Sequence, residues 1–375
     1  MSSAKPSLEL LRSLTDEHVL RAVMEAQRIT RTQIASRTGI SKPTVSDSVR
    51  RLSEAGVLVD TGERTTGRGR AGSYYSLSED CGAVLVASIT PSGVVAEAVD
   101  AFGRVVAREQ EPIGRAPGAE VAADVLAQVA ARVQRAGHGP LRCAVVSAAD
   151  PVDRETGRLV QLPDVPFLVG DLDPVAVVDP LVDGPVLVDN DVNWAARAEQ
   201  GQGCAAGVDD FVYVYLDEGL GCAVVTDGSV RRGHRGFAGE IAHLHTEGPG
   251  GTAVPLIEVF AALGLRRRGT TAVDVEALHE AIADDGATGE EVRRALSRAV
   301  HGVLAAAVAL ADPELIVLGG SWGADPTMVR SLDEQFAEAP RHVPVVPAGL
   351  TEPEIAGARA HGVEELRNHI IASPR

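Results

Sequence analysis

Apolar residues recur at helical spacing in short blocks near the start of the chain. Val19, Leu20, Val23 and Met24 form one stripe, predicting a helix over His18 to Gln27. Thr30 followed three places later by Gln33 is a capping box, so a second helix starts at Thr30, buries Ile34 and Ala35, and stops at Gly39. Ser41 caps a third helix that tolerates Pro43 in its first turn and ends at Gly56. Its inner face is Val45, Val49 and Leu52. The two short helices joined by Thr38 to Ser41 make a helix-turn-helix. The period then changes. Val57 to Asp60 and Ser73 to Leu77 read as strands around a turn-rich Thr61 to Gly72, the pattern of a β-wing. Further along, helices are expected over Glu120 to Ala136 and Val292 to Leu310, the latter Ala-rich and apolar enough to be buried. Asp312-Pro313-Glu314 turns into an apolar run, Leu315 to Leu318, that suits a strand buried on both faces.

The outer face of the third helix carries Lys42, Pro43, Thr44, Ser46, Asp47, Arg50 and Arg51. Short polar groups lead and cations follow. Short side chains let a helix sit deep in a major groove, and Lys42, Arg50 and Arg51 suit phosphates. A solvated helix face would show the same alternation. Between the strands lie Arg64, Arg68 and Arg70, the last two among glycines. That suits a minor-groove insertion, where a narrow groove attracts arginine, and equally a flexible linker. Helix-turn-helix proteins commonly bind as dimers on two half-sites.

At 375 residues the chain is long enough for two or three compact units. Its net charge of −17 argues against a general polyanion binder. The charge is uneven: residues 1–80 carry a net +2 and the remainder −19. That split permits a local DNA contact with an acidic body held away from the phosphates. No long apolar run and no leader-like start is seen, so neither a membrane span nor a signal peptide is expected. Cys81, Cys143, Cys204 and Cys222 lie far apart and offer neither a CxxC pair nor a zinc knuckle.

Val186-Leu187-Val188-Asp189-Asn190-Asp191-Val192-Asn193-Trp194-Ala195-Ala196 resembles a strand and Asn-Asp-x-Asn-Ala-Ala motif of the ROK family of repressors and sugar kinases. Gly239-Glu240-Ile241-Ala242-His243 is similar to that family's Gly-Glu-x-Gly-His, and Ala311 to Gly320 resembles its buried strand ending in Gly-Gly. The resemblance covers about residues 15–375. It implies an α/β fold: an N-terminal winged helix-turn-helix over residues 1–78, then a two-lobed actin/sugar-kinase-like body over 79–375. Lobe one is expected at about 79–185 plus 355–375, regaining a helix near His361 to Ile371, and lobe two at about 186–354. It implies a ligand site made of Asn190, Asp191, Glu240, His243 and Glu258, with Asp191 at the position of the kinases' general base.

The departures matter as much. Where the kinases have Asp-Ile-Gly-Gly-Thr, this chain has Ser88-Ile89-Thr90-Pro91-Ser92, so the aspartate is gone and Pro91 removes an N–H donor. The second phosphate loop reads Asp217-Glu218-Gly219-Leu220-Gly221. A carboxylate ~4 Å from a phosphate charge at an effective dielectric near 20 costs roughly 4 kcal/mol. No ATP binding is expected. The family's zinc cysteines after the histidine are also absent. His243-x-His245 lacks a third ligand, so neither a metal nor a cofactor is expected, and the loop there must be held by other means.

These readings imply a cytoplasmic, non-enzymatic regulator, a repressor that binds double-stranded operator DNA as a homodimer or homotetramer. A sugar or sugar derivative in the degraded kinase cleft would modulate it. Control by a protein partner over a vestigial pocket, and an active sugar kinase, are the competing readings.

Overall fold

The computed structural model describes residues 8–66, 71–114, 118–136, 139–162, 169–337 and 341–373. Arg68 and Arg70 lie outside them.

The first unit contains α1 (Leu8–Ala26), β1 (Ile29–Thr30), α2 (Arg31–Thr38), α3 (Lys42–Glu54), β2 (Leu58–Arg64) and β3 (Ser73–Leu77). The expected caps are present. Thr30 Oγ1 accepts from Gln33 N and the Gln33 side chain accepts from Thr30 N. Gly39 closes α2 at φ +72°, a conformation that costs glycine little. Ser41 Oγ accepts from Thr44 N. Val45, Val49 and Leu52 are buried as expected, each burial stabilising by roughly 1.5–3 kcal/mol. The wing has three strands in the order β1-β3-β2; the short β1 gave no alternation to read. α1 begins ten residues before the predicted start at His18. Its added turns leave Leu10, Leu11 and Leu14 exposed, so burial periodicity did not reveal them.

Lobe one holds β4 (Ala83–Thr90), β5 (Gly93–Asp100), β6 (Val105–Glu111), α4 (Ala119–Arg135), β7 (Leu141–Ala148), α5 (Pro174–Val178), β8 (Val186–Asn190) and α6 (Asp191–Gln202). Lobe two holds β9 (Phe211–Leu216), β10 (Leu220–Thr226), β11 (Ser229–Val230), β12 (His245–Glu247), β13 (Ala253–Pro255), α7 (Leu256–Ala262), α8 (Val275–Ala283), α9 (Ala287–Ala311), β14 (Leu315–Gly319), α10 (Pro326–Ala337) and β15 (Val345–Pro347). The chain then returns to lobe one as α11 (Pro353–Ala372). The sheets run β6-β5-β4-β7-β8 and β11-β10-β9-β14-β15. In each, three antiparallel strands are followed by two parallel ones, so the lobes repeat one topology. This corrects the expected lobe boundary. β8 pairs in parallel with β7, so Val186 to Asn190 belongs to lobe one and the crossing follows α6.

The lobes are joined by the segments 203–210 and 348–352. Glu199, fully buried on α6, accepts from Cys204 N in the first (2.9 Å) and from Gly349 N and Leu350 N in the second (2.9 Å each). One side chain therefore ties both crossings together.

One described helix, α9, is long and apolar enough by length and composition to span a bilayer. Leu296, Val300, Val303 and Leu304 of α9 are buried in the core of lobe two.

The winged unit and lobe one share one apolar cluster. It runs from Val19, Val23 and Leu58 to Val84, Val99 and Ala101, and to Leu366 and Ile370 of α11. Gln27 accepts a hydrogen bond from Arg104 across this junction, and the Cys81 thiol donates to Val57 O (3.5 Å). α11 also packs on α6, β4, β7 and α1.

Candidate functional site

A cleft of about 430 Å³ lies between the lobes. Its floor is built where β8 ends and α6 begins. Asn190 caps α6, its Oδ1 accepting from Val192 N (3.0 Å) while Nδ2 donates to Ala148 O and Asp150 O. Asn190 lines the cleft, and its amide also holds the floor. Asp189 beneath it accepts from Asn193 Nδ2 (2.8 Å) and pairs with Arg232 (3.1 Å). Asp191, the first residue of α6, lines the cleft. Burial, then the charges of Glu354, Asp150 and Glu240, push its carboxyl up to about 8.

Glu240 and His243 also line the cleft, as expected. Burial raises Glu240 to about 7. The loop before it approaches lobe one closely. Gly236 (φ +101°) would place a Cβ 2.2 Å from Val152 O of lobe one, and within lobe two Gly239 (φ +98°) would place one 1.7 Å from Cys222 O of β10. Across the same gap Arg235 pairs with Asp153 (3.1 Å), and Arg154 donates to Gly233 O (2.7 Å). The segment after His243 is held by the β12–β13 hairpin, whose Thr246 Oγ1 donates to Ala299 O of α9 (2.6 Å).

Glu258 does not join the site. Its side chain is half exposed, pairs with Arg266 (3.0 Å), and is not among the lining residues. Glu354, at the start of α11, lines the cleft instead, with Glu352 and Ile355 beside it. Burial raises its carboxyl above the usual range. Asp150, 4% exposed, stands behind the floor and is raised by burial to about 7. Neither Glu354 nor Asp150 lies in a motif that the sequence offers as a ligand site. The signal for Glu354 was Glu352-Pro353-Glu354, a proline-led helix start carrying acids.

On the side where the family resemblance places phosphate, the polar groups are satisfied from within. Asp217 Oδ2 accepts from Ser321 N (2.8 Å) and Asp217 O accepts from Trp322 Nε1 (3.0 Å). Glu218 is ion-paired with Arg267. The two carboxylates do line the cleft, but as satisfied groups rather than a bare like-charged pair. Pro91 and Ser92 form the turn between β4 and β5 at the same rim.

On the winged unit, Lys42, Pro43, Thr44, Asp47 and Arg50 are exposed and Ser46 is half-buried on the outer face of α3. Arg50 pairs with Asp47 (3.1 Å), and Arg64 on β2 pairs with Asp60 (2.9 Å). Arg51 departs from expectation. Its Nη2 donates to Asp16 Oδ1 (2.6 Å), which also accepts from the buried Ser48 (2.5 Å). It fastens α3 to α1 instead of standing free for a phosphate.

Residues 12–59 match a winged helix-turn-helix DNA-binding family. Xylose repressors from Caldicellulosiruptor bescii and Bacillus subtilis are 24% and 21% identical over 237 residues, 62% of this chain. The matches span 59% and 61% of those relatives, so the chain covers less than two thirds of their length. A glucokinase from Halalkalibacterium halodurans is 33% identical over 129 residues, 32% of this chain and 35% of that protein. Among solved structures, a ROK family transcriptional regulator, a homologue of the E. coli MLC protein, superposes with TM-score 0.64 at 19% identity, covering 96% of this chain and 99% of that one. A ROK hexokinase from Thermus thermophilus superposes with TM-score 0.60 at 25% identity, covering 76% and 99%. Residues 93–356, more than half of the chain, match the ROK family, and the protein belongs to it.

Proposed function

We propose that the protein is a DNA-binding transcriptional repressor whose operator affinity is set by a sugar or sugar derivative bound between the lobes. One observation carries this reading: α11 begins in the cleft with Glu354 and ends with Ile370 in the core shared with α1 of the winged unit. Its 20 residues span roughly 30 Å, so a shift at the cleft reaches the helix-turn-helix through one rigid element. The xylose repressors support the repressor role, and the cleft supports the ligand. Lys42, Thr44, Ser46, Asp47 and Arg50 would face the major groove, with Arg64 and the wing arginines Arg68 and Arg70 toward the flanking minor groove. Asp191, Glu240, His243 and Glu354 would meet ligand hydroxyls.

On this reading the chain does not phosphorylate sugar. Asp217 uses the Ser321 N–H, and Pro91 offers no donor at the opposite rim. The regulator would act as a homodimer or homotetramer in the cytoplasm, each protomer placing one winged unit on a half-site.

The test is genomic DNA selection with the purified protein, with and without a panel of pentoses and hexoses. A palindromic site released by one sugar is expected. Selection of no sequence overturns the operator reading, and phosphorylation of a sugar by ATP above a protein-free control overturns the non-enzymatic one.

A further inference from the structure

We propose that α9 is the face on which two copies of this chain meet, its C-terminal half crossing the same half of the partner subunit antiparallel, about a two-fold axis near Ala306. This pairing needs no ligand in the cleft, and it gives the dimer of the operator reading a place in the fold.

α9 is apolar along most of its 25 residues, but only 39% of its most apolar stretch is buried. One side is spent on lobe two, where Leu296, Val300, Val303, Leu304 and Val308 enter the core. The other side changes character along its length. Glu291, Arg294 and Arg298 stand exposed on it first. Then come Gly302 and Ala309, both exposed, with Ala305 and Ala306 half-buried between them. Leu310 closes the strip at 90% exposure, whereas the next most exposed large apolar side chain among the described residues, Leu10, is at 51%.

A single exposed leucine needs no explanation, but a contiguous apolar patch does. Leu310 has company. Glu247 pairs with Arg298, and Thr246 Oγ1 donates to Ala299 O (2.6 Å) and stands where a Cβ on Gly302 would go. β12 therefore runs antiparallel to α9, and its direction carries Leu244, 40% exposed, toward the turn of Ala306.

Shape and charge together select a second copy as the occupant. Leu310 lies about two turns beyond Gly302. An antiparallel crossing at Ala306 then lays each Leu310 over Gly302 of the partner subunit, where no side chain stands outward, and the small residues between let the helices approach closely. Arg294 and Arg298 precede the strip, and Asp312 and Glu314 follow it. The same crossing brings each acidic end to the basic end of the partner subunit. Arg298 already pairs with Glu247, and Asp312 with Arg341, but these are exposed pairs that contribute little and can be shared. A chain of net charge −17 repels its own copies in general, so a face balanced in this way is where two can approach. An anionic lipid surface, the other partner that an apolar helix could meet, would be repelled by Asp312 and Glu314.

The experiment is sedimentation velocity of the full chain over a range of micromolar concentrations. The parent protein should be a dimer. Leu310→Glu removes no internal packing, and both copies lose the leucine, so Kd should rise by about a hundredfold. Glu314→Arg should weaken the dimer, and adding Arg298→Glu should restore it. Ala306→Cys should give a cross-linked dimer on a non-reducing gel after mild oxidation. Glu291→Cys, on the same side of the helix but far from the axis, should not, nor should the parent chain with its four cysteines. A monomeric parent protein overturns the pairing, as does a dimer that survives Leu310→Glu and gives no Ala306→Cys cross-link. A monomer that binds anionic vesicles, and loses them in Leu310→Glu, overturns it in favour of a membrane. Failure of genomic selection to yield an operator, with the dimer and its cross-link intact, overturns the repressor reading and supports the pairing.

Discussion

Replacing Glu199 with glutamine removes one acceptor from the side chain that joins the two interlobe crossings. The carboxylate now serves Cys204 N with one oxygen, and Gly349 N and Leu350 N with the other. An amide can keep its oxygen on the Gly349–Leu350 pair, but its NH2 then faces the Cys204 N–H, donor against donor. One hydrogen bond to a charged acceptor contributes about 1.5–3 kcal/mol, and a stranded buried donor costs a similar amount. Glu199→Gln should therefore destabilise by about 2–4 kcal/mol, a large fraction of an ordinary domain's stability. Gly203→Ala should do comparable damage, because its Cβ would lie 1.9 Å from Glu199 Oε2. The assay is urea unfolding followed by intrinsic fluorescence, with the midpoint lowered in both variants. A second readout is local. Desolvation, then a hydrogen bond to Glu199 and its charge, push the Cys204 thiol up to about 12. In Glu199→Gln the charge is gone, so Cys204 should react at least tenfold faster with a disulfide reagent at pH 8. An unchanged urea midpoint together with unchanged thiol reactivity would refute the latch.

Other outcomes follow from the same geometry. Arg50→Ala should weaken operator binding across sequences and lower the salt dependence by about one counterion, measured by fluorescence anisotropy at several salt concentrations. Arg51→Ala should instead lower the melting temperature, since it strands the mostly buried Asp16 at the α1–α3 junction. Gly239→Ala should abolish sugar binding by calorimetry or prevent folding, because its Cβ has no room beside Cys222 O. The ligand-free protein should also gain stability as the pH falls from 8 to 5. Asp150, Asp191 and Glu240 titrate higher folded than unfolded, so over that window the folded state holds more protons. Melting curves across that range should show the rise, and Asp191→Asn should flatten it.

Local chemistry made the winged unit legible. Thr30, Gln33, Gly39 and Ser41 act through neighbours three or four residues away, and all cap as their spacing requires. The buried faces of α3 and β14 were readable for the same reason. Long-range pairing was not. Arg51 looks like any surface cation until Asp16, 35 residues earlier, is brought beside it. Whether Glu258 or Glu354 enters the cleft depends on how α7 and α11 pack, which no local period encodes. The lobe boundary was misplaced because a parallel strand such as β8 finds its partner through a crossover, and the sequence of β8 does not say which sheet it joins.

The two sets of interlobe contacts differ in strength, and that difference determines how the cleft can move. At the hinge, Glu199 is fully buried, and its three hydrogen bonds have no water to replace them. At the mouth, Arg235 pairs with Asp153 from a side chain that is 63% exposed. Exposed pairs of that kind contribute about 0–1 kcal/mol. Between these two sets the mostly buried Arg232 of lobe two pairs with Asp189 (3.1 Å) and donates to Val188 O (3.3 Å) of lobe one, so an opening would give first at the Arg235–Asp153 end and leave the Glu199 crossings in place. α11 starts at this hinge, where Glu352 holds a left-handed conformation (φ +48°) that a non-glycine residue adopts only under constraint. Rotation at that point turns lobe two against the body formed by lobe one, α11 and the winged unit. To move such a balance from 1:99 to 99:1, a ligand must prefer one state by about 5.5 kcal/mol. The mouth contacts cannot supply that, so the preference would have to come from the ligand's own contacts with the cleft. The Asp217–Ser321 bond holds the loop after β9 and the loop after β14 together within lobe two, so those loops would move as one with that lobe.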